Sequence, residues 1–554
     1  MSRCQKLLVI ALASALGLVA APRFSTAKAP RVAVVISVDQ MRQDYLTRLW
    51  PFFSDGGFKR LVNGGANFTD AHYDYCVTLT GPGHAVQATG TWANRNGYVN
   101  NSYFDRTARK MVGPASDTAT KLVGVDVAAN GASPRRLLAG TLGDRMRTLT
   151  GGAAKVIALT LKDRASVPLA GHQGQAYWFD KKFGRFVTST YYRKTLPDWL
   201  QNTQPRVDAA FGSTWDRFGP SAAYALASAD DASWEEDDDG LGRTFPRTLN
   251  GKNNTKDKSF YSAWRSSPAA LTLLVELAKE AMTAEGIGAD DVTDLFWLGL
   301  TPTDYAGHSF GPYSHEAISL LLETDRVVAN LLTYLDKSFG KDGYVVVLTA
   351  DHGAPPIPEH AKSLGRDAGR VAAADVLKAV ESTLNQTYGK HPGKKPWIAA
   401  HKPPFISLNR RLINKRKLSL DAVQQTAAHA VARLTGIDAV FGSERVLNGR
   451  YPRTPLVDKV TRSFHPTRSG DLYVLTKPYW LWSSWDTHPH GTSHGTPYAY
   501  DTHVPLVFYG AGVARGTHRR HVQLIDLAPT LASLIGMPGP DRAEGHILEE
   551  VFGR

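Results

Sequence analysis

Three carboxylates and three imidazoles stand out by what lies beside them. Asp304 and His308, in "TPTDYAGHSF", are four residues apart, so one helical turn puts both on the same side. "TADHG" sets Asp351 beside His352, and the glycine that follows permits a tight turn. "GTSHGTPYAYD" adds His494 in a small-residue loop whose glycines let a metal ion or phosphate approach the backbone. Asp39, at the end of an apolar run, completes the set. Carboxylate and imidazole together suit zinc, and this set is enough for two sites that keep positions open for substrate. Each residue alone is more often structural than catalytic, so the reading rests on the group. His488 and His490 lie close to His494 in sequence and are rival ligands that spacing does not separate.

A hydroxyl completes the chemistry. In "VTLTGPGHAVQATG" (77–90), Thr78 and Thr80 precede a Gly-Pro-Gly-His that opens a helix-like run of small residues. Threonine is a common N-cap and proline suits the first helical turn. The same position also favours a nucleophile, because a helix N-terminus stabilises negative charge and binds phosphate readily.

The elements that must position these groups are legible as short apolar runs, read as buried parallel strands: 31–39, 155–161, 294–300, 344–351 and 504–510. Helical patterns separate them, among them 314–339 with Ser314 as its cap and Glu316 in its first turn. Alternating strands and helices predict an α/β sandwich with a mostly parallel central sheet, helices on both faces and ligands at the carboxyl ends of the strands. Four strands deliver charged or ligand-type residues to that edge: Asp39, then Lys162-Asp163-Arg164, then Asp304, then Asp351-His352. Packing alone does not require that coincidence. Less regular stretches around 195–260 and 353–490 read as cap-like insertions into one core spanning 30–554. The acidic run 230–240, "DDASWEEDDDG", lacks EF-hand spacing and reads as a solvated surface loop.

Residues 1–29 read as an export signal. Arg3 and Lys6 precede the apolar run 7–21, and Ala27-Lys28-Ala29 is an A-x-A cleavage pattern. The run is short for a membrane span, and Cys4 lies ahead of it, where a lipoprotein cysteine would not, so no membrane anchor is expected. Removing the signal deletes four cations and no acids, taking the net charge from +13 to +9 and leaving Cys76 as the sole cysteine. One cysteine makes no internal disulfide. The basic balance suits anionic ligands, but no nucleic-acid-binding module is evident. A periplasmic or secreted enzyme is expected, with a monomer as the default state.

With these residues in place, the chain resembles the alkaline phosphatase superfamily, above all its threonine-nucleophile branch: phosphate-irrepressible bacterial alkaline phosphatases, related to nucleotide pyrophosphatases/phosphodiesterases. The resemblance is carried, in order, by 38–46, 78–85, 97–105, 161–180, 301–308, 349–353 and 491–497, with the tail "IDLAPTLASLIGMP" (525–538) as a closing segment. It implies Thr80 rather than Thr78 as nucleophile. It implies one zinc on Asp304, His308 and His494, and a second on Asp39, Asp351 and His352 with Thr80 as a further ligand. Asn101, Lys162 and Arg164 are implied to contact the phosphoryl oxygens. Asn100 stands where similar sequences carry glycine, which leaves the local turn open.

The implied reaction is hydrolysis of phosphate monoesters through a phosphothreonine, with weaker phosphodiesterase activity. A phosphodiesterase/nucleotide pyrophosphatase on the same scaffold is the alternative, and a non-catalytic phosphate- or metal-binding protein a more distant one. A sulfatase is excluded because Cys76 is not followed by the x-P-x-R that formylglycine formation requires. A phosphoglycerate mutase of the same superfamily would use manganese and a serine and would not be exported.

Overall fold

An apolar run rich in β-branched residues is satisfied only when both its faces are covered. In the computed structural model, which describes residues 29–236, 240–390, 396–483 and 490–553, this is how β1 (Val32–Val38) sits, with every residue buried. The 1–29 segment read as a signal therefore lies, apart from Ala29, outside the described residues.

Along the chain come α1 (Thr80–Thr89), β2 (Val156–Thr160), α2 (Asp163–Ala170) and β3 (Gln175–Asp180). They are followed by β4 (Asp294–Leu300), α3 (Pro302–Phe310), α4 (His315–Phe339), β5 (Tyr344–Thr349) and β6 (Leu506–Gly510). Ser314 caps α4 as its spacing predicts, its Oγ accepting from the Ala317 N–H at 3.1 Å.

These strands belong to one 11-stranded sheet whose centre runs β5-β1-β4-β2-β3, all in parallel register. Val32 lies opposite Asp294 on one side and Tyr344 on the other, so β1, β4 and β5 end level with one another. Beyond this centre the sheet turns antiparallel: Arg185–Ser189, Ser116–Val123 and Asn130–Ala132 follow β3. On the other edge β6 pairs antiparallel to β5, which corrects the expectation that 504–510 is a parallel strand. An apolar run reports burial, not direction.

Residues 369–483 build a lobe around a four-stranded sheet in the order Ile398–Lys402, Phe405–Leu408, Leu472–Thr476, Ile437–Gly442. Side chains alternate across a strand with period two. Leu472 and Val474 face a cluster with Val380, Leu384, Trp397 and Val423, from the lobe's own helices Ala373–Tyr388 and Leu420–Val431 and the segment leading into its sheet. Tyr473 and Leu475, with Phe405 and Phe441, join the main core instead.

The acidic run is not the solvated loop expected of it. Asp230 pairs with Arg217 at 2.8 Å, Glu235 is only 3% exposed, and Trp234 stacks on His360 at 5.2 Å. Residues 237–239 lie outside the described residues.

Candidate active site

The level ends of the parallel strands gather the predicted residues. Asp39 follows β1, Lys162 caps α2 just past β2, Asp304 and His308 ride α3 just past β4, and Asp351-His352 follow β5. His494 arrives from a loop next to β6 in sequence. Its imidazole stacks on that of His352 with centroids 3.5 Å apart.

Two groups of convergent ligand atoms result, each within 4.8 Å of one another: Asp304, His308 and His494, and Asp39, Asp351 and His352. The imidazole tautomers follow from hydrogen bonding. His308 Nδ1 donates to the Thr492 carbonyl at 2.8 Å, His494 Nδ1 to the Thr78 carbonyl at 2.7 Å, and His352 Nδ1 to the Gly353 carbonyl at 3.0 Å. A carbonyl only accepts, so each Nδ1 carries a proton, and in the neutral ring that binds a metal each Nε2 presents a lone pair. Those lone pairs face carboxylates. His308 and His494 Nε2 lie 3.3 and 3.5 Å from Asp304 Oδ1, and His352 Nε2 lies 3.3 Å from Asp351 Oδ2 and 3.6 Å from Asp39 Oδ1. Asp39 Oδ1, Asp351 Oδ2 and His352 Nε2 are buried without a hydrogen-bond partner. Lone pairs turned on one another repel unless a cation sits among them, so both sets fit a metal ion.

Around Asp39 and Asp351 the electrostatics carry the same deficit of positive charge. Burial, then the charges of Asp304 and Asp351, pushes the Asp39 carboxyl well above the usual range. Asp351 is pushed up to about 7, mainly by burial. At Asp304 burial also works against the charge, but Lys162 and then His308 outweigh it and hold that carboxyl well below the usual range. Lys162 Nζ donates to Asp39 Oδ2 at 2.6 Å and also to Asp304 Oδ2, so one ammonium bridges a carboxylate from each set.

Thr80 is the first residue of α1, one past Leu79 at the cap position, so its hydroxyl is not placed as the cap. Lys162 Nζ, 3.4 Å away, is its neighbour. The cap reading therefore fails at Thr80. Thr78 Oγ1, by contrast, is spent on the Thr496 carbonyl at 2.9 Å. Gly83 is required here, since a Cβ would meet the Asp351 carbonyl at 2.3 Å; its absence lets α1 close on the end of β5.

Asn101 accepts the Gly81 N–H on Oδ1 at 2.8 Å, which leaves its NH2 as the free end. Lys162 and Arg164 do not lie on the strand itself. The strand ends at Thr160, and they occupy the cap and the first turn of α2. Arg164 Nε is a buried donor without a partner. His490 is exposed, and His488 lies outside the described residues.

Two contributors, Gln40 and His84, escape sequence reasoning, and the structure resolves the turn left open at Asn100. Gln40 has a left-handed backbone (φ 65°), unusual outside glycine. Its N–H donates to Asp351 Oδ1 at 3.1 Å and its side-chain amide to Asp304 Oδ1 at 3.0 Å, tying the two sets together. The positive φ leaves no signal in a single sequence. His84 donates to the Thr80 carbonyl at 2.8 Å and lies 3.4 Å from Asp351 Oδ2. Its place in Gly-Pro-Gly-His was the available clue. Asn100 donates to the Pro403 carbonyl at 3.0 Å, and its backbone is not left-handed, so the turn does not need the usual glycine. Asn100→Ala should cost about 1 kcal/mol by orphaning that carbonyl. Thermal unfolding is the readout, and an unchanged midpoint would mean that the apolar face of the lobe alone sets its position. A cavity of about 220 Å³ runs from Asn101, His308 and His494 toward Lys402, Tyr473 and Trp480 of the lobe.

The sequence pattern of the type I phosphodiesterase / nucleotide pyrophosphatase family matches residues 33–497. The chain belongs to that family. Among relatives of this phosphodiesterase/pyrophosphatase-family chain, alkaline phosphatase PafA of Elizabethkingia meningoseptica is 33% identical over 97% of both chains. Alkaline phosphatase PhoV of Synechococcus elongatus is 30% identical over 95% of this chain and 94% of its own. A Myroides odoratus protein named a calcium-transporting ATPase is 32% identical over 94% of this chain and 95% of its own. No helix among the described residues of the present chain is long and apolar enough to cross a membrane. The crystal structure of PafA superposes with a TM-score of 0.86 at 32% identity, covering 96% of this chain and 100% of that one.

Proposed function

We propose that this protein is a zinc-dependent alkaline phosphatase that hydrolyses phosphate monoesters through a phosphothreonine on Thr80, with weaker activity on diesters. One observation carries the reading. A hydroxyl at the first position of a helix stands beside a lysine that bridges two convergent carboxylate–imidazole sets. Asp304, His308 and His494 would hold one zinc, and Asp39, Asp351 and His352 the other with Thr80. The two ions supply Lewis acidity, which lowers the pKa of a hydroxyl and offsets charge on the departing oxygen.

The chain's own groups do the rest. The start of α1 aims Thr80 Oγ1 at phosphorus and favours negative charge there by about 0.3–1 kcal/mol. Attack by Thr80 forms a P–O bond as the bond to the ester oxygen breaks, and water then cleaves the phosphothreonine to release inorganic phosphate. Asn101 NH2, Lys162 and Arg164 grip the non-bridging oxygens, the Arg fork suiting two at once. The organic group of the ester occupies the cavity toward the lobe. Residues 1–29 would export the enzyme to the periplasm or beyond.

A monoester dianion presents three non-bridging oxygens, whereas a diester replaces one with a second substituent and carries one charge. Wild-type enzyme should therefore prefer an aryl phosphate monoester to its diester in kcat/KM. Removing a preorganised donor to such charge costs roughly 10²–10³-fold. Lys162→Ala/Arg164→Ala should show a loss of that size or more on monoesters and a much smaller one on diesters. Equal losses, or a wild-type preference for diesters, would favour the phosphodiesterase alternative.

A further inference from the structure

A third convergent set lies outside the active site, where the strand Ala71–His72 pairs in parallel with Val522–Gln523. It shares no residue with the other two. His72 Nε2 is 2.9 Å from Asp70 Oδ1, and His521 Nδ1 is 3.3 Å from Asp70 Oδ2, so one carboxylate faces two imidazoles. We propose that Asp70, His72 and His521 form an additional binding site for a zinc-type divalent cation, one that clips the start of the chain to its end.

The spacing is that of ligands around one ion. Atoms each about 2.1 Å from a tetrahedral zinc lie about 3.4 Å from one another. The two contacts to Asp70, at 2.9 and 3.3 Å, lie just under that value, and the contacts of His308 and His494 to Asp304 in the active site lie on either side of it. An outer layer also orients both rings. His72 Nδ1 is paired with Thr502 Oγ1 at 3.0 Å, and His521 Nε2 faces Asp74 Oδ2 at 3.0 Å. Asp74 is steadied in turn by the Gln523 amide at 2.9 Å. Metal-binding histidines are characteristically held in this way through the nitrogen that does not bind. Stacking adds rigidity: His72 lies 4.4 Å from the His503 ring and 5.2 Å from that of His521.

Two imidazoles and one carboxylate are a borderline donor set, which selects zinc-like ions over calcium or magnesium. This set is more open to solvent than the catalytic ones, with the side chains of Asp70 and His521 42% and 47% exposed. Water completes the coordination, and the ion exchanges with the medium. The clip joins Asp70 and His72 to His521, far along the chain, and clips that close long loops gain the most in stability. Just beyond it, the helix Leu527–Leu534 packs on α1, which carries Thr80.

Equilibrium dialysis of the full-length enzyme against zinc, followed by elemental analysis, tests this. Wild type should hold one more zinc per chain than either His72→Ala or His521→Ala, and both variants should keep turnover of an aryl phosphate. Their melting temperatures should respond less to added zinc than that of wild type. His521→Gln, on the surface, guards against a variant that misfolds. Equal zinc in wild type and all three variants would overturn the site and leave an imidazole–carboxylate network held by protons. Because the count is a difference between chains with intact Thr80 sites, failure of the phosphatase reading leaves it unaffected.

Discussion

Thr80→Ala is expected to abolish the covalent phosphoenzyme and to lower turnover by roughly 10⁴-fold or more, the scale of losing an activated nucleophile from an otherwise intact site. The expectation rests on how the two neighbouring hydroxyls are used. Thr80 Oγ1 sits at the first helical position, past the cap, and has Lys162 Nζ at 3.4 Å. Thr78 Oγ1 is committed to the Thr496 carbonyl. Thr78→Ala should thus cost about 1 kcal/mol of stability and little activity. It keeps the Thr78 carbonyl that holds His494 Nδ1. Acid-quenched labelling with a radioactive phosphate ester reads the difference. Label surviving in Thr80→Ala but lost in Thr78→Ala would move the nucleophile to the other threonine.

The second large effect concerns metal. His494→Ala should bind one zinc fewer per chain than wild type, and its turnover should fall by more than about 10²-fold because a polarising cation is lost. His488→Ala and His490→Ala should match wild type in both respects. His494 Nε2 turns its lone pair toward Asp304 Oδ1, and its other nitrogen is fixed by a backbone carbonyl. His490 is exposed. Elemental analysis of purified proteins side by side gives the count. A full complement of zinc in His494→Ala would remove it from the ligand set.

The sequence shows the centre of this fold better than its margins, for a physical reason. Parallel strands are covered on both faces, so β1, β2, β4 and β5 read as unbroken apolar runs, and the residues within four of each run's end fall at one edge. Asp39, Lys162, Asp304 and Asp351 were therefore visible as a group before any contact was known. Direction was not, because burial is indifferent to it, and β6 runs opposite to its neighbour. Nor was the role of Gln40, which depends on a backbone angle and on two partners more than 260 residues away. The Asp70–His72–His521 set was hidden for the same reason. Its members meet only because the strands Ala71–His72 and Val522–Gln523 pair.

The alternation along Leu472–Thr476 limits how the lobe can move. Odd and even residues of that strand belong to different cores, so the lobe is riveted to the body through its sheet. Swinging it outward as a hinged flap would break the bond from the Tyr473 hydroxyl to the Cys76 carbonyl and pull that face off the main core, where each large apolar side chain fully exposed costs about 1.5–3 kcal/mol. Substrate must therefore enter a mouth of fixed shape. Selectivity among esters would then evolve by changing the side chains around that mouth, with the rigid frame left as it is.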